Sequence, residues 1–414
     1  MDCCREGLST FCLYFVRLAV VVSHPIQYYS PWFRFLAANG FDGLRVFYLW
    51  DGGVTEQLDH GFGVNVKWDI PLLEGYDYEF VPNGARQPGP SNWRGLNNHT
   101  LAKRLAAFHP DVTLLFGYNY LTHYRLLFSK MARRVPLLFR GDSHRLVPER
   151  GLRAGLRRQW IRSIFRRFDA FLYVGQANKS YFQFHGMPES KLFFCPHAVD
   201  NERFFSQAGT ATDEAARWKT SLGISPSRRV ILFAGKFEPK KRPRDLVAAF
   251  RRANLENATL LLVGNGEQEA MLRQDAAGQP DIVFAPFQNQ TQMPRTYAAG
   301  DVFVLPSFGR GETWGLAVNE AMCMSRPVIV SNHVGCAQDL VEPRRNGLIF
   351  PAGDMEALAG ALQEVLADAQ RLHVWGARSR EIIQGYDYEH ATRGLREAMD
   401  AVKKQKTETD LLPY

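Results

Sequence analysis

Little in this sequence can build a disulfide framework or a zinc site. Its 414 residues include six cysteines, Cys3, Cys4, Cys12, Cys195, Cys323 and Cys336. None has C-x-x-C spacing and no histidine pair stands at a zinc-like offset. The thiols are expected to be buried or idle in a reducing compartment, which points to the cytoplasm. Long apolar runs are also missing. No stretch approaches the roughly 20 uninterrupted apolar residues of a membrane-spanning helix. Residues 11–22 are apolar apart from Arg17 and could pass for a signal-peptide core. However, the segment 18–23 runs into His24-Pro25 as a first β-strand does, so cleavage would remove part of the fold. Residues 1–15 are read as an appended leader, disordered or spurious. No Asp-x-Asp pair sits in a metal-ligand setting, so no metal is expected. No zinc or RNA-binding signature accompanies the basic residues, which excludes nucleic acid as the expected partner.

The charge is uneven. The net +8 lies wholly in the first half: residues 1–200 carry 24 Lys and Arg against 16 Asp and Glu, and residues 201–414 carry 26 of each. A basic half calls for an anionic partner.

A chain of this length fits two cores better than one. Short β-rich apolar runs at 17–23, 44–48, 112–116, 137–140, 170–174 and 191–195 alternate with helical patterns at 101–108, 122–133 and 152–168. This rhythm predicts a parallel sheet with helices on both faces. It pauses over 200–227, where Gln207-Ala-Gly-Thr-Ala-Thr and Gly223-Ile-Ser-Pro-Ser have the composition of a linker. It restarts with strands at 229–235, 259–264, 282–285, 302–306 and 327–331. The expectation is α/β: two Rossmann-like, doubly wound domains over 16–205 and 206–385 facing a cleft. A terminal segment, 386–414, would supply a helix over 389–402 that crosses back to the first domain, then a disordered polar tail. In such sheets ligands bind beyond the carboxyl ends of the strands.

The densest chemistry is Pro306-Ser-Phe-Gly-Arg-Gly-Glu-Thr-Trp-Gly-Leu-Ala-Val-Asn-Glu-Ala-Met. A strand end, a glycine-containing loop and a helix start follow one another. Open backbone N–H groups near Trp314, Gly315 and Leu316, with the helix dipole behind them, form an anion site. Gly315 lets a phosphate approach closely. Glu312 and Glu320 bracket that site and can accept hydrogen bonds from sugar hydroxyls. A structural reading also exists, with Glu312 as a cap and Glu320 solvated. The second signal is Phe233-Ala-Gly-Lys-Phe-Glu-Pro-Lys-Lys-Arg. Its lysines crowd a loop after a strand and suit a diphosphate; otherwise they form a solvated basic loop.

Together these motifs, with Pro327-Val-Ile-Val-Ser and Asn346-Gly-Leu-Ile-Phe-x-x-Gly-Asp354, resemble the retaining GT-B glycosyltransferases of glycosyltransferase family 4. The resemblance covers the second domain in full and the first more loosely. It implies transfer of a sugar from a nucleoside diphosphate sugar to a hydroxyl acceptor: a glycan, a lipid-linked saccharide or a small metabolite. No cofactor beyond that donor is implied. It places Lys236 and Lys241 at the donor diphosphate, Glu312 at hydroxyls of the transferred sugar and Glu320 at the ribose. The Gly315–Leu316 backbone falls at phosphate and sugar, and Phe287 falls at the base. Lys236 stands where many relatives have Arg, which keeps the charge but loses the planar fork. His24-Pro25-Ile26-Gln27 replaces a Gly-Gly turn common in relatives, and His24 is read as lining the cleft. In Leu138-Phe-Arg-Gly-Asp-Ser-His144, either Asp142 or His144 stands near the reacting sugar.

Two other classes stay beside this one: a nucleotide-sugar epimerase of the same architecture, which needs no acceptor, and a non-catalytic nucleotide-sugar-binding protein. The segment 150–167 carries seven arginines, Arg150, Arg153, Arg157, Arg158, Arg162, Arg166 and Arg167. Leu152, Leu156, Ile161, Ile164, Phe165 and Phe168 recur among them at helical spacing. The favoured expectation is a domain helix with that stripe in the core. The other is a helix resting on anionic lipid, which would make the protein peripheral on the inner face of the membrane.

Overall fold

The computed structural model describes residues 16–59 and 61–410. The leader reading of 1–15, with Cys3, Cys4 and Cys12, lies outside them. Two fully parallel sheets organise the chain. The first has seven strands in the spatial order Asp77–Phe80, Gly43–Tyr48, Arg17–Val22, Val112–Phe116, Leu137–Arg140, Ala170–Tyr173 and Leu192–Phe194. The second has six: Ile282–Ala285, Ala258–Val263, Arg229–Ala234, Val302–Leu305, Val328–Ser331 and Gly347–Phe350. In each, the strand order reverses beside the first strand. That reversal opens a crevice at the carboxyl ends, where a ligand can reach backbone and loops from both sides. The central strands are apolar along their whole length because helices cover both faces. Leu18 to Val22 and Val230 to Phe233 are accordingly buried.

Four sequence expectations change. The stretch read as a linker contains the helix Ala208–Ser221. Ala211 and Ala215, four residues apart, pack into the core beside Tyr297; small residues that look like loop composition are what let this helix lie close to its neighbour. The helical pattern over 122–133 divides into Leu121–Leu127 and a short turn at Met131–Arg133. The polar tail is helical as far as Asp410, within the helix Tyr388–Asp410. Its apolar stripe Ala391, Leu395, Ala398, Met399 and Val402 packs into the first sheet's core. Gly394 permits this, since a Cβ there would lie 1.7 Å from the Phe194 carbonyl oxygen.

The fourth change concerns the arginine-rich helix Leu152–Phe165. Ile161, Ile164 and Phe165 are buried, but Leu152 is 90%, Leu156 73% and Trp160 47% exposed. The favoured expectation of one core-facing stripe is therefore overturned for its first half. Residues at helical spacing share a face, but only the second half of the helix has the sheet beneath it.

A strand and a hairpin went unread. Asp77–Phe80 forms an edge of the first sheet, and Gln57–Asp59 pairs antiparallel with Val64–Val66 in a separate ribbon. Both are of three or four residues per strand, too short for periodicity to detect. The ribbon and the residues after it reach the second domain: Asn289 Nδ2 donates to the Lys67 carbonyl at 2.6 Å, and the Thr291 N–H donates to Asp69 at 3.1 Å.

Candidate active site

A cleft of about 590 Å³ lies between the carboxyl ends of the two sheets. That volume lies in the range of small-molecule sites. From the first domain it receives the loops after Val22 and Arg140 and the ribbon; from the second it receives those after Ala234, Ala285 and Leu305. His24, Asp142, Lys236, Lys241, Phe287, Glu312, Gly315, Leu316 and Glu320 all line it. His144 does not. Its ring lines a neighbouring pocket, and its Nε2 lies 3.2 Å from the Glu312 carbonyl oxygen. The Leu146 N–H donates to its Nδ1 at 3.2 Å, so Nε2 carries the proton and donates across the domains. Burial lowers the pKa of this ring, in keeping with that neutral form.

The helix Leu316–Cys323 opens at Gly315, which has φ +102°. A Cβ there would meet Val334 Cγ1 at 2.9 Å and Leu305 Cδ2 at 3.1 Å. Glycine thus lets the chain turn tightly and start the helix facing the cleft. The first-turn N–H groups at Leu316 and Ala317 have no acceptor within the helix and point toward its N-terminal end.

The carboxylates sit in contrasting settings. Glu312 is buried, accepts from Ser307 Oγ at 2.8 Å and pairs with Lys241 Nζ at 2.5 Å. Lys241 arrives on a short 3₁₀ turn, Pro239–Lys241, that follows the strand Arg229–Ala234. Glu320 is only 2% exposed. Tyr297 donates its hydroxyl to Glu320 Oε2 at 2.7 Å, whereas Oε1 is buried without a hydrogen-bond partner. Burial raises the Glu320 pKa to about 7, with the Tyr297 hydrogen bond, the Arg203 charge and the nearby Tyr28 and Gln290 side chains opposing the rise. Asp142 behaves oppositely. Burial would raise its pKa, but hydrogen bonding and charge from His197, with the Thr313 hydroxyl donating at 2.6 Å, bring it down to about 2. It is therefore an ionised acceptor at neutral pH. His24 stacks edge-on against Trp50 with centroids 5.6 Å apart, and burial lowers its pKa to about 4, so its ring is uncharged.

Lys236 makes a contact that sequence reasoning missed. Its Nζ donates to Asp59 at 2.8 and 3.0 Å, across the domains, and lies 4.9 Å from the Phe62 ring. Phe62 and Trp68 in turn face Phe287, with centroids at 4.5 and 6.3 Å. His197 was also missed. It is buried between Tyr29 and Trp314, with Nε2 3.5 Å from Asp142. It stands just beyond a strand end, so the rule that selected Asp142 could have found it; no sequence signal marks Asp59.

Comparison with known proteins places this geometry. Residues 214–382 match the family Glycosyl transferases group 1. A GDP-mannose-dependent alpha-(1-6)-phosphatidylinositol monomannoside mannosyltransferase of Mycobacterium tuberculosis is 26% identical over 334 residues, covering 77% of this chain and 82% of the relative. A D-inositol 3-phosphate glycosyltransferase of Nocardia farcinica is 26% identical over 231 residues, covering 53% of this chain and 49% of the relative. The crystal structure of Anabaena HepE in complex with UDP and glucose shares the fold, with a TM-score of 0.70 at 19% identity, covering 93% and 99% of the two chains. Among the described residues no helix is long and apolar enough to cross a membrane. The matched family lies within the second domain, the relatives extend the likeness into the first, and the whole has the two-sheet architecture: the protein is a GT-B glycosyltransferase that moves a sugar from a nucleoside diphosphate sugar to an acceptor, with a second domain similar to the glycosyl transferases group 1.

Proposed function

We propose that this enzyme transfers its sugar with retention of anomeric configuration, without a metal ion or a cofactor beyond the donor, to a hydroxyl of an acceptor at the cytoplasmic face of the membrane. The observation that carries the donor reading is Glu320: a buried carboxylate with one oxygen unfilled, facing a cleft that also holds Lys236, Lys241 and a helix N-terminus. A ribose hydroxyl donating to Oε1 would satisfy that atom. The diphosphate would then lie against Lys241, Lys236 and the N–H groups at Gly315 and Leu316, with the base beside Phe287. Glu312 would accept from hydroxyls of the transferred sugar, and Asp142 and His24 would face that sugar from the other side.

In this reading the anomeric C–O bond to phosphate breaks and its electron pair leaves with the diphosphate. The acceptor oxygen bonds the same carbon from the same face, passing its proton to a leaving phosphate oxygen. Lys241 and a helix N-terminus, joined by Lys236 once it leaves Asp59, neutralise the developing charge. Glu312 pairs with Lys241 at 2.5 Å, which supports a binding role over that of a carboxylate nucleophile. The exposed Leu152, Leu156 and Trp160, on successive turns of an arginine-rich helix, support contact with an anionic membrane. The phosphatidylinositol monomannoside in the name of the Mycobacterium tuberculosis relative agrees with that setting.

A thermal-shift screen with UDP, GDP, ADP and dTDP and their sugar conjugates, with and without EDTA, tests the donor site. A shift with one nucleotide that survives EDTA is expected. NMR of the product should then show the donor's anomeric configuration. Glu312→Gln should keep nucleotide affinity and lose at least about tenfold in kcat. Unchanged kcat would remove Glu312 from the reacting sugar, and inversion in the product would end the retaining reading.

A further inference from the structure

We propose that a second pocket, beside the donor cleft, binds a phosphate carried by the acceptor, as a phosphomonoester or phosphodiester on a polyol or a lipid headgroup. The proposal rests on the transferase reading and names the acceptor's chemistry. The pocket is about 370 Å³, and Arg145, Arg150, Arg157, Arg158 and Arg310 line it. One carboxylate, Glu149, faces them. It pairs with Arg157 at 2.7 Å and with Arg310, which reaches over from the second domain and also donates to the Val147 and Pro148 carbonyls. Arg145, Arg150 and Arg158 have no acidic partner among the described residues. Five arginines gathered in a concave site against one carboxylate are what an added anion stabilises.

The arginines are held in place before any anion arrives. Arg158 donates through Nε and Nη2 to the Phe184 carbonyl at 3.1 and 2.9 Å. Its guanidinium carbon lies 4.0 Å from the Phe184 ring centroid, and that of Arg145 lies 3.3 Å from it. Two like charges on one ring repel unless an anion bridges them, and guanidinium forks match phosphate oxygens.

His185 adds an independent pointer. It lines the same pocket, is 3% exposed, and its Nδ1 has no hydrogen-bond partner. Burial, helped by the charges of Arg158, Arg145 and Arg157 and opposed by hydrogen bonding to the Arg158 backbone, lowers its pKa to about 4. A neutral imidazole with an unused nitrogen beside uncompensated arginines is a polar contact waiting for a ligand.

Position ties this pocket to the reaction. Thr313 lines both spaces and donates its hydroxyl to Asp142 in the donor cleft. A polyol anchored by phosphate among the arginines can therefore extend a hydroxyl past Thr313 toward the transferred sugar. Leu152 and Leu156 stand exposed on the helix that supplies Arg157 and Arg158, so a headgroup still attached to lipid can enter from that side.

Isothermal titration of the full chain, saturated with the nucleoside diphosphate that gives the largest thermal shift, tests the proposal. The probes are glycerol 3-phosphate, uncharged glycerol, and phosphatidylcholine vesicles with and without phosphatidylglycerol, in 150 mM salt. Binding of glycerol 3-phosphate or of phosphatidylglycerol vesicles is expected, with none to glycerol or to phosphatidylcholine alone. Arg145→Gln and Arg150→Gln should each weaken it at least tenfold and leave nucleotide affinity unchanged. Arg150 makes no contact on which folding rests, so it covers the case in which Arg145→Gln misfolds. Binding of the soluble phosphate marks a soluble acceptor. Binding of vesicles alone, lost in Leu152→Ser/Leu156→Ser, marks a lipid. Absence of both, or binding undiminished in the two arginine variants, overturns the proposal. Phosphate binding without nucleotide binding would count against the donor reading instead.

Discussion

Replacing Glu320 with Gln should stabilise the protein and weaken its hold on the donor, and the gap in stability should widen with pH. Burial raises this carboxyl from the usual 4.5 to about 7. In the unfolded chain it ionises above pH 4.5; in the folded protein it resists ionising until about pH 7. The folded state therefore binds the proton more tightly, and stability contributed by this group is lost as pH rises through that interval and stays low above it. The change disfavours the charged form by about 3 kcal/mol, of which about 2–3 kcal/mol falls between pH 5 and pH 8. Glutamine keeps an oxygen for the Tyr297 hydroxyl and carries no charge. At roughly 2–4 °C per kcal/mol for domains of this size, the variant's Tm should exceed that of the wild type slightly at pH 5 and by about 5 °C or more at pH 8. Scanning calorimetry of both proteins across this range reads the effect. Titration with the preferred nucleotide at pH 8 should show affinity reduced about tenfold or more, because a hydrogen bond to a charged acceptor has become one to a neutral amide. A Tm gap that stays flat with pH would refute the burial argument. Undiminished affinity would take Glu320 away from the nucleotide.

Two further outcomes follow from the geometry. Lys236 must leave Asp59 before it can serve a diphosphate; an ion pair this close to solvent is worth about 0.2–1 kcal/mol. Asp59→Asn should thus tighten nucleoside diphosphate binding by up to about fivefold, read by titration calorimetry, and weaker binding would show that Asp59 assists the donor. Gly315→Ala forces a left-handed backbone onto a side chain whose Cβ would lie 2.9 Å from Val334 Cγ1. A loss of about 1–3 kcal/mol, seen as a lower Tm, is expected together with weaker nucleotide binding, and a variant as stable as the wild type would show that the turn can relax.

Much of this protein could be read from its residues in order. Alternating apolar strands and helices place a parallel sheet in each half because a doubly covered strand must be apolar throughout. Once the strands are placed, the loops after Val22, Arg140, Ala234 and Leu305 stand at carboxyl ends, so His24, Asp142, Lys236 and Glu312 reach one cleft without long-range information. The Gly315 helix start and the flanking glutamates are local features, legible for the same reason.

Tertiary structure decided what depends on which faces are covered and which loops meet. Asp142 and His144 stand two residues apart on one loop, yet only the first lines the donor cleft; the second turns to the Glu312 carbonyl. Asp59 reaches Lys236 through a ribbon too short to show a period. Ala208–Ser221 is a helix because its alanines find a partner surface, whereas Leu152 and Leu156 carry a core-like pattern and find none. Hydrophobic spacing names a face of an element; only the packed chain determines whether anything lies against it.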